Sequence, residues 1–258
     1  MGNELMAGDL AAAGALQPLW DWCLQNLGGF TSSPAFILTA VMLGVYVPGI
    51  VFSIVDVYIT KRLTWRECLS VYWRAMKLYS NLYIVAMVVL LAFPMPDFLK
   101  ITTPATAPTL WEFARDLLLY FLLGDITSYF WHRIEHAQGW YMKNVHYVHH
   151  YDKPPLSIWT AMVVHPIEGG SVFFFFHIYG ILFAIHPLIW FVGAFALTAV
   201  TMITHCGYRL PIYDTIFANS PCHDFHHANR KATNISVVLT ICDRMFGTYQ
   251  APAARGQN

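Results

Sequence analysis

Long apolar runs separated by short polar stretches dominate this chain, and their lengths predict its elements. Ala35 to Val55 carries no charge, and as an α-helix rising 1.5 Å per residue it is long enough to cross a hydrocarbon core of about 30 Å. Leu78 to Phe93 is a second, shorter candidate, ended by Pro94 and Pro96, because proline lacks the N–H that a continuing helix needs. A third, Trp111 to Trp131, has Arg115 and Asp116 near its start and Asp125 inside, and charges in an apolar helix turn toward neighbouring helices and away from lipid. Ile167 to Thr204 gives 38 mostly apolar residues, which as one helix would measure about 57 Å, nearly twice the core. This run therefore folds back, and His186-Pro187 marks the turn, since proline suits the first turn of a new helix. The expected fold is all-α, an integral membrane helical bundle with four or five membrane segments, and its apolar hairpin starts and ends on one side.

Charge sets the sidedness. Lys61, Arg62, Arg66, Arg74 and Lys77 fill the first loop, whereas residues 1–60 hold no Lys or Arg. Basic loops stay in the cytosol, so alternation puts the loop with Lys100 outside and returns the chain to the cytosol at Arg133, together with Lys143, Lys153, Arg209, Arg230, Lys231 and Arg244. Composition agrees with a membrane location: 57% of residues are hydrophobic and 12% charged, against about 45–50% and about 25% in a soluble domain. Fifteen Lys plus Arg balance fifteen Asp plus Glu, which leaves no basic surplus for nucleic acid and no acidic tail to solvate a disordered chain.

The five cysteines, Cys23, Cys68, Cys206, Cys222 and Cys242, form no CxxC pair and no even-numbered framework, which points to a reducing compartment. The N-terminus opens on Glu4 and Asp9 ahead of a weakly apolar stretch to Phe30 and lacks a basic leader region, so insertion is expected to rely on an internal helix.

Eight of the twelve histidines fall into three short clusters: His132 and His136; His146, His149 and His150; His223, His226 and His227. Residues three and four apart share a helix face, so each cluster, if helical, aims its imidazoles in one direction. A lone histidine at a membrane boundary serves well enough as a half-polar aromatic or a helix cap, but three in-phase clusters on one side of the membrane read as a common metal pocket. Neutral imidazole suits iron, zinc, copper and nickel, and eight ligands overfill a single tetrahedral site, so two metal ions are implied. The carboxylate-rich pattern of a soluble di-iron bundle, with Glu-x-x-His on two helices, is missing. His165 and His205 sit where apolar segments meet the cytosolic side, and either can complete a coordination sphere. His177 and His186 lie within or at the turn of the apolar hairpin and read as structural. Asp125 is two turns before His132, where it either orients a ligand imidazole through the other ring nitrogen or pairs with a neighbouring helix.

His132-Arg-Ile-Glu-His136, His146-Tyr-Val-His-His150 and His223-Asp-Phe-His-His227, with a hydrophobic hairpin between the second and third, resemble the histidine boxes of the fatty acid hydroxylase and sterol desaturase superfamily. The resemblance covers roughly Trp111 to Tyr249. His165-Pro-Ile-Glu168, His205-Cys-Gly-Tyr208 and Asp243-Arg-Met-Phe-Gly-Thr248 look like the C-4 methylsterol oxidase branch. Cys222, Cys242 and the loop Asp152-Lys-Pro-Pro-Leu-Ser157 depart from that branch.

The resemblance implies a di-iron centre with O2 as co-substrate, held by His132, His136, His146, His149, His150, His223, His226 and His227 in a cytosolic histidine-rich cap. The expected activity is hydroxylation or desaturation of a lipid C–H bond, with C-4 methyl oxidation of a sterol first and fatty acyl or sphingolipid hydroxylation as the alternative. Zinc, which has no accessible second oxidation state, would restrict the site to hydrolysis or to a structural clamp. No nucleotide fingerprint, haem attachment motif or iron–sulfur pattern occurs. Electrons are therefore expected from a partner, by resemblance cytochrome b5 or a comparable carrier with its NAD(P)H-dependent reductase, at the endoplasmic reticulum. A histidine-rich metal transporter is the competing class, but it would place its ligands near the bilayer midplane. Phe173 to Phe176, Trp190 and Phe191 are candidates to line a lipid path. Residues 1–110 are read as N-terminal membrane helices with the basic loop, 111–250 as the catalytic region of the same structural domain, and 251–258 as a tail.

Overall fold

The computed structural model describes residues 14–92, 101–211, 217–229 and 232–251. Among them the protein is helical, with no strand and a single antiparallel bridge between Phe217 and Leu239. The predictions that touch Phe93, Pro94, Pro96, Lys100, Arg230, Lys231 and the 252–258 part of the tail lie outside the described residues.

Helix α1 (Gln17–Leu27) arises in the weakly apolar N-terminal stretch, where the sequence predicts no element. It buries Trp20 and Cys23 against Leu188, and Trp20 Nε1 donates to the carbonyl of Pro104 at 2.8 Å. Helix α2 (Pro34–Ile54) is capped by the Ser33 side chain, which accepts from Ala35 N, and it ends in a wider turn over Val55–Ile59. Pro34–Ile59 is the one helix among the described residues that is both long and apolar enough to cross a membrane.

Helix α3 (Trp65–Ala92) begins well before the predicted Leu78. Thr64 N and Oγ1 both donate to Glu67 Oε2 at 2.7 Å while Glu67 N donates to Thr64 Oγ1, a reciprocal cap that starts a helix ahead of its apolar part. Arg66, Arg74 and Lys77 therefore ride on the helix and do not fill a loop. Thr109 and Glu112 make the same reciprocal cap for α4 (Leu110–Ala137), which carries the first histidine pair on its last turns. Its acidic residues Asp116 and Asp125 are buried, as expected, and Arg115 pairs with Asp116 at 2.7 Å.

After the short α5 (Gly139–Asn144) come two 3₁₀ turns, His146–Tyr151 and Ile158–Met162. The apolar hairpin follows as α6 (Pro166–Leu182) and α7 (Pro187–Ile203), capped by His165 and His186, whose Nδ1 atoms accept from Ile167 N and Leu188 N. Both helices are apolar but shorter than α2. Helices α8 (Ser220–Asn229) and α9 (Ile241–Met245) complete the chain.

Close approach between helices depends on missing side chains. A Cβ on Gly44 of α2 would lie 2.6 Å from the Phe195 carbonyl oxygen and 2.8 Å from Thr198 Cβ on α7, and one on Gly124 of α4 would lie 2.7 Å from the Phe176 carbonyl oxygen on α6. Both obstacles include backbone, which cannot swing aside. Below the histidines, Trp159, Ile158 and Met162 pack against Val45 of α2, Ala75 of α3 and Met202 of α7, and Trp159 Nε1 donates to Ser53 Oγ at 2.8 Å. Gly44→Ala is expected to cost about 1–3 kcal/mol through overpacking, seen as a lower thermal unfolding midpoint of the purified protein by circular dichroism. Gly139→Ala, where a Cβ meets nothing within 4 Å, is the control and should leave the midpoint in place.

Candidate metal centre

Nine imidazoles from four places in the chain meet in two adjoining groups. His132, His136, His146, His150 and His226 form the first, and His149, His205, His223 and His227 the second; within each, the candidate ligand atoms all lie within 4.8 Å of one another. The groups do not follow the sequence clusters. The 3₁₀ turn sends His146 and His150 to one group and His149 to the other, and α8 sends His226 to the first and His223 and His227, one turn apart, to the second. The groups touch where the His150 and His227 rings stack with centroids 4.5 Å apart.

The Nε2 atoms point at one another. His146 Nε2 is 3.0 Å from those of His136 and His150 and 3.2 Å from that of His132, while His136 and His226 are 3.1 Å apart. In the second group His205 is 2.9 Å from His223 and 3.4 Å from His149, and His223 is 3.1 Å from His227.

Their protonation decides what such contacts mean. His132 Nδ1 donates to the Ile235 carbonyl at 2.7 Å and His226 Nδ1 to the Thr233 carbonyl at 2.8 Å. His146 Nδ1 donates to Glu168 Oε1 at 2.8 Å, with Glu135 Oε2 at 3.7 Å from the same nitrogen. A neutral ring that donates through Nδ1 carries a lone pair on Nε2. The 3.2 Å contact of His132 with His146 thus sets two lone pairs face to face, and a cation between them turns repulsion into ligation. Two nitrogens about 2.1 Å from one ion lie about 3.0 Å apart at a right angle and about 3.4 Å apart at the tetrahedral angle, so the observed spacings fit donors around shared metal ions. Burial first, and neighbouring imidazoles second, hold His146, His149, His223 and His227 well below the ordinary imidazole range, which keeps the rings neutral and available as ligands.

The fold fixes these rings from outside. Asp243 accepts from Ile235 N at 2.9 Å, Ser236 N at 3.0 Å and Thr248 Oγ1 at 2.6 Å, so it holds the segment whose carbonyl orients His132. The loop bearing His205 is anchored by Arg62, which bonds Asp56 in a two-pronged pair and the Cys206 carbonyl at 2.8 Å, and by Gly207 N, which donates to Ser220 Oγ at 2.7 Å. Gly207 has φ +75°, and a Cβ there would strike Arg62 Nη1; only glycine suits that turn.

The sequence-based site residues sort as follows. His132, His136, His146, His149, His150, His223, His226, His227 and His205 are brought together. His165 is not: its Nδ1 is spent on capping α6, and it joins neither group. Asp125 does not meet an imidazole; its carboxylate accepts from Leu239 N at 3.0 Å, and a main-chain carbonyl takes the His132 proton in its place. Glu168 is the carboxylate that orients a ring, and its signal in the sequence is a lone acid at the start of an apolar helix. Glu135, between the two histidines of the first box, faces the same nitrogen. All five cysteines are buried, and none is in a disulfide.

Comparison with known proteins agrees with this geometry. The chain is 27% identical over 254 residues to a cholesterol 25-hydroxylase-like protein of Caenorhabditis elegans, covering 91% of this chain and 82% of that protein. It is 31% identical over 170 residues to methylsterol monooxygenase 1-1 of Arabidopsis thaliana, covering 62% of this chain and 55% of that protein. A very-long-chain aldehyde decarbonylase of Oryza sativa subsp. japonica is 26% identical over 193 residues, covering 72% of this chain and 63% of that protein. No solved structure matches. The family model for fatty acid hydroxylase matches residues 117–248, half of the chain and the stretch that supplies all nine converging histidines, and the chain therefore belongs to the fatty acid hydroxylase family.

Proposed function

We propose that this protein is a membrane-bound di-iron oxygenase that oxidises a C–H bond of a lipid, with a sterol as the substrate class. The observation that carries the reading is the facing of lone-pair-bearing imidazole nitrogens in two adjoining groups, a donor set for two redox-capable cations. When bound, iron supplies O2 activation and the two-electron oxidation of an unactivated C–H bond, as hydroxylation or desaturation. Relatives named for cholesterol and for methylsterols support the lipid class. Because they are named for different sterol targets, likeness to them sets the class and leaves the carbon open.

The chain's own residues account for the rest. Ile235 and Thr233 carbonyls and Glu168 fix which nitrogen of His132, His226 and His146 faces inward, and such outer hydrogen bonds raise ligand basicity and hold ring orientation. His132, His146, His149 and His205 open on a small chamber whose other walls include Ala161, Val164, Val172, Phe176 and Thr201, a mostly apolar surface that suits hydrocarbon. Of the aromatic residues expected along a lipid path, Phe176 lines this chamber.

A membrane setting is supported by what the helices expose. Leu43, Val47, Ile50, Val51 and Ile54 of α2 are 42–53% exposed, and Leu118, Ile126, Phe130 and Ile134 of α4 are also uncovered. Such a stripe suits acyl chains and costs solubility in water. Lys61, Arg62, Arg66, Arg74, Arg133, Lys143 and Lys153 support a cytosolic orientation of the histidine cap. Four or five segments, the endoplasmic reticulum, and a catalytic unit within 111–250 belong to the same reading. The protein carries no haem or nucleotide motif, so electrons come from a cytochrome b5-like partner and its reductase, for which the basic face offers a docking surface.

Three outcomes are expected. Purified protein should contain about two iron ions per chain by elemental analysis, since two groups of donors are present; zinc in place of iron would leave a hydrolytic or structural site. His226→Ala and His149→Ala, one from each group, should each lower iron content and abolish O2-dependent lipid oxidation while helicity by circular dichroism is kept, and full activity in either would sink the assignment. Glu168→Leu should weaken iron binding by about 10–100-fold with His146 still present, and Glu168→Gln, whose amide oxygen still accepts from Nδ1, should recover part of it in chelator competition.

A further inference from the structure

Beyond the metal centre, α6 and α7 enclose a second apolar chamber that adjoins the first. The two share Ala161, Val164, Val172, Phe176 and Thr201 as lining, and the second extends to Val41, Phe173, Thr198 and His177. Its walls are mostly hydrocarbon, with Thr198 and Thr201 among them, and they include His177. His177 is buried to 2% exposure, and its Nδ1 is hydrogen-bonded to Tyr120 Oη, itself fully buried. Nε2 makes no hydrogen bond to any described residue. An imidazole deep in a helical hairpin costs about 1–3 kcal/mol for each polar atom left unpaired, so a ring retained here with one nitrogen held and the other beside a small apolar space is poised to bind a polar group.

The chemistry narrows that group. If Tyr120 donates to Nδ1, the ring carries its hydrogen on Nε2 and donates; if Nδ1 donates to Tyr120, Nε2 accepts. A hydroxyl satisfies either tautomer because it is both donor and acceptor, whereas a carbonyl satisfies one. Carboxylates and phosphates would bring a charge into a chamber without a cationic side chain in its lining.

We propose that His177, positioned by Tyr120, binds a hydroxyl group on the lipid at the end remote from the carbon presented to the metal centre. The inference rests on the lipid-oxidising reading above and adds orientation to it. Glu168, which orients His146, and His177 stand nine residues apart on α6, about 13 Å along the helix. On that spacing the oxidised carbon lies beyond the immediate ring neighbours of the hydroxyl-bearing carbon. In a sterol the C-4 methyl is attached next to the hydroxyl-bearing carbon and cannot meet this separation; the side chain at the opposite end of the ring system can.

The test uses the full-length protein in lipid nanodiscs and two probe pairs that differ only in the hydroxyl: cholesterol with cholest-5-ene, and hexadecan-1-ol with hexadecane. Wild type should bind the alcohol of at least one pair about tenfold more tightly, the value of one well-made hydrogen bond, and the pair that responds identifies a rigid or a flexible lipid. His177→Phe should bring both members of that pair to equal affinity, and His177→Gln, which keeps a donor and an acceptor, should restore part of the preference. Tyr120→Phe, which keeps the imidazole but frees it to turn, should lower the preference as well, and it serves if His177→Phe does not fold. No preference in wild type for either pair, or a preference unchanged in the His177 variants, overturns the proposal. Iron content, measured on the same samples, separates the two readings: hydroxyl preference through His177 in a protein without iron would remove the oxygenase assignment and leave this binding site standing.

Discussion

Neutral imidazoles that face one another across about 3 Å are the constraint around which this molecule is built. Eight of the nine rings are buried and His136 is half-buried, so protonation is opposed by lost solvation, and each outward nitrogen that donates leaves a lone pair pointing inward. Such an arrangement is stable when cations occupy its interior, and it explains why so many helices end here. Helix α4 brings two rings, α8 three, a 3₁₀ turn three, and the chain just beyond α7 one.

Holding these ends together requires the bundle below to be dense and its spacing to be set by small residues. Gly44 lets α2 sit against the α7 backbone, and Gly124 does the same for α4 and α6. The Arg62–Asp56 pair then fastens the end of α2 to the loop of His205, at 2.8 Å and largely out of solvent. Removing one partner would strand a buried charge, the costlier way to lose such a pair. The position of the His205 ring thus depends on packing several turns away.

Much of this was legible in the sequence because the signals were periodic or local. The apolar run from Ala35 and the hairpin divided at His186-Pro187 follow from length and proline placement, and the three boxes from i, i+3 and i, i+4 spacing. The early start of α3 was legible too, in Thr64-x-x-Glu67, but the basic residues after it read as a loop. What pattern could not give was the division of the second and third boxes between two groups: helical phase puts the rings of a box on one face, yet His149 parts from His146 and His150, and His226 from His223 and His227. Nor could it show which acid orients a ring: Asp125, in helical phase with His132, bonds a main-chain amide, while Glu168, from a different helix, reaches His146. Long-range pairing leaves no periodic trace.

The use of main-chain carbonyls as ring anchors follows from the same physics. Carbonyls inside a helix are already bonded along its ladder, so a ring that needs an acceptor finds one on irregular chain, and the Thr233–Leu239 segment supplies it to His226 and His132. Irregular chain in a buried place must have its own amides satisfied. Asp243 takes those of Ile235 and Ser236, Asp125 that of Leu239, and the Thr248 carbonyl that of Asn234. Asp243 and Asp125 therefore serve the segment that aims the histidines, whereas Glu168 meets a ring itself, and a change at Asp243 reaches His132 through two hydrogen bonds and a carbonyl.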